Sequence, residues 1–167
     1  MIQVYTGKGK GKTTAALGLA IRAAGAGLKV YICQFLKGGK CSELASLKKF
    51  KHIKIERFGN DCFVRRPAQE KDIREASRGL KSAARAIFKK YYDVVILDEI
   101  CVAIKLKLLK PQDVIGIIKK SPSKTELILT GRGASKEIIK AADLVSDIKE
   151  KKHYYRKGVK ARRGIEY

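Results

Sequence analysis

Ile2-Gln3-Val4-Tyr5-Thr6-Gly7-Lys8-Gly9-Lys10-Gly11-Lys12-Thr13-Thr14 lies at the start of the chain. Ile2–Tyr5 reads as a strand, and the pattern from Thr13 to Ala24 reads as a helix, apolar nearly all round and so expected to be buried. Glycines between the two let the backbone turn tightly and aim successive N–H groups inward as an anion nest. The start of the helix adds unpaired N–H groups and the positive end of its dipole. Strand, glycine loop and helix together make a phosphate-binding loop, the P-loop. ATP is the expected ligand. Lys12 is placed to reach phosphate oxygens and the Thr13 hydroxyl to ligate Mg²⁺, while Thr6, Gly7, Lys8, Gly9, Lys10, Gly11 and Thr14 complete the cradle.

The spacing departs from the usual G-x-x-x-x-G-K-(S/T). Counted back from Gly11, the first position is Thr6; the glycines instead give G-x-x-x-G-K-T from Gly7. A cradle shortened in this way wraps a terminal phosphate differently. It points away from routine hydrolysis of the γ-phosphate.

Outward from the loop, short apolar runs alternate with helical patterns. Strands are expected at Lys29–Phe35, Ile53–Arg57, Val94–Leu97, Glu126–Thr130 and Leu144–Ile148. Helices are expected at Glu43–Phe50, from Pro67 onward, from Pro111 onward and at Ser135–Ala142. Ile73, Leu80, Ala84, Ile87 and Phe88 mark the inward face of the Pro67 helix; Val114, Ile117 and Ile118 mark that of the Pro111 helix. Lys37–Ser42 and Phe58–Arg66 read as loops. The fold class is α/β: one RecA-like P-loop domain over residues 1–167, with a mostly parallel sheet and helices on both faces. Parallel strands put all their C-terminal ends at one edge, where ligands bind.

Two further segments end strands at that edge. Asp98-Glu99 follows Val94–Leu97, and carboxylates there are placed to hold Mg²⁺ directly or through water. Thr130-Gly131-Arg132-Gly133 follows Glu126–Thr130, and Arg132 is a candidate catalytic residue that neutralises developing negative charge. The catalytic candidates are therefore Lys12, Thr13 and Arg132, and the metal candidates Thr13, Asp98 and Glu99.

The 38 Lys and Arg outnumber the 16 Asp and Glu, for a net charge of +22. Such a field attracts anions. The lysines are spread along the chain rather than gathered in one arm, which favours small polyanions or plain solvated surface over nucleic acid. Cys33, Cys41, Cys62 and Cys101 form no C-x-x-C pair, so reduced thiols are expected rather than disulfides or a Cys/His metal site. No stretch is apolar enough to cross a membrane and no leader precedes the first strand, so the expected location is cytoplasmic.

Thr6–Thr14, Val95–Glu99 and Leu129–Gly133 together resemble the P-loop corrinoid adenosyltransferases, the cob(I)alamin or cob(I)yrinic acid a,c-diamide adenosyltransferase family. The resemblance extends to Gln34-Phe35-Leu36-Lys37-Gly38 and Ala141–Val145. It also takes in the tail, Lys152-His153-Tyr154-Tyr155-Arg156-Lys157-Gly158-Val159-Lys160-Ala161 and Gly164-Ile165-Glu166-Tyr167. It implies transfer of the 5′-deoxyadenosyl group of ATP to the Co(I) of a corrinoid, with release of triphosphate and with ATP held reversed relative to hydrolases. It further implies a reductant protein or flavin, a homodimer, no membrane and no nucleic-acid partner. Relatives cover the lower cobalt face from the loop before the long helix, which makes Phe63, with Cys62 and Val64, the candidate for that role here, without the Trp many relatives carry; a loop simply anchored by one buried Phe is the alternative. Glu43 stands where relatives often have Glu and is a candidate nucleotide contact. Many relatives extend before the first strand. This sequence opens at the strand, so the tail or a partner subunit is expected to close the pocket. Two other readings compete: a P-loop ATPase acting on nucleic acid, and an ATP-binding module without turnover.

Overall fold

A computed structural model describes residues 1–39, 41–59 and 68–166. Six strands form one all-parallel sheet: β1 (Ile2–Thr6), β2 (Val30–Phe35), β3 (Ile53–Phe58), β4 (Val94–Asp98), β5 (Glu126–Thr130) and β6 (Leu144–Asp147). Their order across the sheet is β3-β2-β4-β5-β1-β6. The helices are α1 (Lys12–Gly25), α2 (Ser42–Leu47), α3 (Glu70–Phe88), α4 (Ile100–Lys105), α5 (Pro111–Lys120) and α6 (Lys136–Ala141), followed by a 3₁₀ turn at Tyr154–Lys157.

Side chains alternate across a strand, and the central strands are apolar on both sides because helices cover both faces. Val30, Ile32, Val94, Ile96 and Ile128 face one way and pack on Ala16, Leu17, Ala20 and Ala23 of α1 and Leu47 of α2. Tyr31, Cys33, Phe35, Val95, Leu97, Leu127 and Leu129 face the other way, against α3, α4, α5 and α6. The α/β class read from the alternation of elements is the one observed.

Several element-level expectations need correction. α1 is not buried all round: its buried face is Lys12, Ala16, Leu17, Ala20, Ala23 and Ala24, while Ile21 stays 45% exposed. One sheet face can cover only one stripe of a helix. The helix expected at Pro67 begins at Glu70, because Gln69 and Asp72 form a reciprocal capping box that fixes the start. Its buried face is Asp72, Ala76, Gly79, Leu80, Ala83, Ala86 and Ile87, with Ile73 and Phe88 exposed. Small residues make that face because the helix lies close on the sheet: a Cβ at Gly79 would stand 2.9 Å from ring atoms of Phe35 and Phe58. The helix expected at Glu43–Phe50 is shorter, Ser42–Leu47. α4 was not anticipated. It starts directly after the active-site strand β4, and its six residues are too few for a periodic signal.

Candidate active site

The glycine loop sits at the C-terminal end of β1, between the sheet edge and the end of β6. Gly7 and Gly11 adopt φ of 101° and 118°. A side chain at Gly7 would also collide, since its Cβ would lie 2.4 Å from Asp147 Oδ1 and from the Ile148 carbonyl oxygen. Gly9 N–H donates to the Ile148 carbonyl at 2.7 Å, and Ile148 N–H donates to the Thr6 carbonyl at 2.9 Å. The Thr6 hydroxyl oxygen accepts from Ala134 N–H at 3.3 Å. The loop is thus tied to β6 and to the segment after β5.

Lys12 opens α1 and is 6% exposed. Its ammonium donates to the Gly9 carbonyl at 2.5 Å, inside the curve of the loop. Burial, followed by the positive charge of Arg132, lowers its pKa from the ordinary lysine value. A buried cation next to free helix N–H groups is the arrangement an anionic ligand relieves.

Asp98, the last residue of β4, has no exposed surface. Its Oδ1 accepts from the Thr13 hydroxyl at 2.8 Å and from the Thr130 hydroxyl at 2.7 Å. Its Oδ2 accepts from Gln34 Nε2 at 3.1 Å and from the Lys37 ammonium at 2.9 Å. Thr130 Oγ1 in turn accepts from Glu99 N–H at 2.9 Å. Four elements therefore converge on one carboxylate: α1, the end of β2, β5 and the loop after β2. Glu99 and Leu36 both have positive φ, 63° and 60°. Non-glycine residues held so cost about 1–3 kcal/mol each and cluster at functional sites. Here they turn the chain at the ends of two adjacent strands and bring Glu99 and Lys37 to the same place.

Burial, and next the negative charge of Asp98, raises the Glu99 pKa. For Lys37 burial works against the charge, but Asp98 outweighs it and the net shift is upward. Glu43, half-buried in the first turn of α2, also acts on Lys37 through its charge. The Gln34 side chain is fully buried, and among the described residues its Oε1 has no hydrogen-bond donor.

The structure brings Thr6, Gly7, Gly9, Gly11, Lys12, Thr13, Asp98 and Glu99 into one site, with Arg132 exposed beside them but close enough for its charge to act on Lys12 and Glu99. Lys8 and Thr14 are exposed. Lys10 points to the tail: its ammonium donates to Tyr154 Oη, the Ile165 carbonyl and Glu166 Oε1, each at 3.1 Å. Cys62 and Phe63 lie outside the described residues. Gln34, Lys37 and Thr130 received no role from the sequence, although Gln34 is a lone polar residue in the otherwise apolar run of β2, and that was a usable signal. His153 caps the 3₁₀ turn, with Nδ1 accepting from Tyr155 N–H at 3.1 Å. The Cys33 and Cys101 thiols are buried, and burial raises the pKa of both, Cys101 to about 12. Neither is a ready thiolate.

Residues 1–167 match the family described as ATP:corrinoid adenosyltransferase BtuR/CobO/CobP. The chain belongs to this family. It is 32% identical to a corrinoid adenosyltransferase of Pseudomonas aeruginosa, over all of this chain and 83% of that protein. It is 34% identical to the corrinoid adenosyltransferase of Escherichia coli K12 and 33% identical to the corrinoid adenosyltransferase CobA of Salmonella typhimurium, in each case over all of this chain and 85% of the relative. The family resemblance read from the loop, the β4 end and the tail is therefore the relationship found. Membership does not favour a nucleic-acid-directed ATPase or a binding module without turnover. Among the described residues, no helix is long and apolar enough to cross a membrane.

Proposed function

We infer that this chain transfers the 5′-deoxyadenosyl group of ATP to the Co(I) of a corrinoid. In that reaction the cobalt electron pair forms the Co–C5′ bond, the C5′–O5′ bond breaks, and triphosphate leaves with that electron pair. The observation that carries the reading, within a family member, is the buried Lys12 inside a short glycine loop with Thr13 hydrogen-bonded to Asp98 beside it. The protein's part is positioning and charge stabilisation. Lys12 and the N–H groups at the start of α1 neutralise the leaving triphosphate, and Arg132 adds positive charge at the rim. No side-chain nucleophile or base is required.

The donor set fits Mg²⁺. Thr13 Oγ1, Asp98 and Glu99 would hold it, being hard oxygen donors of the kind Mg²⁺ takes alongside water and phosphate oxygens, and Gln34 Oε1, unpartnered among the described residues, is a further oxygen beside them. Among the described residues no group of three His, Cys, Asp or Glu could hold a metal by itself, so the ion depends on the nucleotide for the rest of its shell. When bound, it supplies charge neutralisation to the triphosphate.

Phe63, with Cys62, is assigned to the lower cobalt face, where it favours reduction from Co(II). Phe63→Ala should slow reactions begun from Co(II) more than those begun from pre-reduced Co(I); equal slowing would remove it from that role. A reductant protein or flavin supplies the electron, and a homodimer is the assembly we propose. The exposed Leu144 and Val145 on the edge strand β6 give a second copy apolar surface to cover.

The test is incubation with ATP, Mg²⁺ and chemically reduced corrinoid, followed by optical detection of a light-sensitive Co–C product. Triphosphate should appear only with corrinoid and reductant present. ADP and orthophosphate, stimulated by DNA or RNA, would refute the assignment.

A further inference from the structure

We propose that the Lys37 ammonium is a built-in counter-cation of the acidic cluster, which a divalent metal must displace from Asp98 before it can bind. The inference rests on the metal assignment above. Asp98 is fully buried, and every direction around its carboxylate is taken: Thr13 and Thr130 on Oδ1, Gln34 and Lys37 on Oδ2. Three of those four partners are neutral dipoles. Lys37 alone brings a full positive charge, at 2.9 Å, and its own side chain is only 14% exposed. Glu99 and Glu43 also lie within electrostatic reach of the same ammonium. One lysine thus balances part of the charge of three carboxylates in a place water barely reaches, where like charges repel with little screening.

The backbone is built to hold the ammonium there. Leu36 turns through a φ of 60° just before Lys37. Its N–H is fixed by the Phe58 carbonyl at 2.8 Å. Gly59 lets the neighbouring strand end come in: a Cβ there would lie 2.6 Å from the Lys37 backbone nitrogen. Lysine is also the residue suited to leaving. Its ammonium is a point charge on a flexible four-carbon stem, without the fixed fork of arginine. A dication held by Asp98 and this ammonium would compete for the charge of one carboxylate. The protein therefore disfavours metal alone and favours metal that arrives with an anionic ligand, towards which the freed ammonium can turn.

The probe is Mn²⁺ alone, without nucleotide or corrinoid, titrated by electron paramagnetic resonance against the full chain. Wild type should bind it weakly. Lys37→Met, which keeps the stem and removes the charge, should tighten binding by about tenfold or more, while Lys37→Arg should stay as weak as wild type. Thermal melting of each variant checks that it is folded, and the Lys37→Met/Asp98→Asn pair should lose the gain. If Lys37→Met is folded and binds Mn²⁺ no more tightly than wild type, while Asp98→Asn still abolishes binding, the counter-cation role is wrong and the metal site stands. If neither wild type nor Lys37→Met binds Mn²⁺ at millimolar concentration, the metal assignment fails and the proposal with it.

Discussion

Asp98 gathers four donors around a carboxylate that has no exposed surface. Removing any one donor leaves part of a buried carboxylate's hydrogen-bonding capacity unmet. Thr130→Val is the cleanest such change, because the hydroxyl both donates to Asp98 and accepts from Glu99 N–H. It should cost about 1–3 kcal/mol of stability, read from denaturant midpoints; an unchanged midpoint would mean the network is not closed as described. Lys12→Ala should lower turnover by at least about a hundredfold, the scale on which a preorganised charge acts on a leaving group. Near-normal rates would count against the site. At this scale the sequence was legible where a motif names a residue. Lys12, Thr13 and Asp98 each stand in a run whose context, strand then loop or strand end, fixes their place. Lys37 and Thr130 were not legible, because their roles depend on a positive φ at Leu36 and on the register between β4 and β5, and neither is written in local residue preference.

At the level of elements, α3 shows why pattern reading caught only part of a face: Leu80 and Ile87 are buried as expected, whereas Ile73 and Phe88 are exposed. Large apolar residues were weighted, but most of the buried face is small, Ala76, Gly79, Ala83 and Ala86, with Gly79 set against the rings of Phe35 and Phe58. Gly79→Ala gains about 1 kcal/mol of helix propensity. It also forces a methyl group against buried rings, at about 1–3 kcal/mol. A net loss of about 1 kcal/mol is expected from melting curves, and a gain would show that the helix can move off the sheet. The same helix is clamped to the strands by Glu56, which accepts from Ser82 of α3 at 2.6 Å and from Tyr31 of β2 at 2.7 Å. Burial opposes ionisation of Glu56, but Lys54, Ser82 and Tyr31 outweigh it and hold its pKa at about 2, well below the ordinary carboxylate value. A depressed carboxylate stabilises the fold above its unfolded pKa, and that stability is lost as pH falls through the folded one. Glu56→Gln should therefore reduce stability at neutral pH and flatten the acid limb between about pH 4.5 and 2. Parallel acid limbs for variant and wild type would contradict the clamp.

Over the whole molecule, the net charge is +22. The field should draw ATP in at long range, and it is screened over about 10 Å at 0.1 M salt. kcat/KM for ATP should fall as ionic strength rises while kcat changes little; a flat response would reduce the charge to a surface trait. The tail belongs to this scale too, since Tyr154, Ile165 and Glu166 reach back about 150 residues in sequence to Lys10 of the loop. The α/β architecture was legible from alternation alone, whereas the tail's contact with the loop was not, because no periodic pattern records a contact so distant in sequence. What the assembled molecule is for comes down to which atom of ATP is attacked. ATP labelled with ¹³C at C5′, incubated with Mg²⁺ and reduced corrinoid, should yield the label bonded to cobalt and an equal amount of triphosphate, both read by nuclear magnetic resonance. Label remaining in ADP alongside orthophosphate would contradict the account.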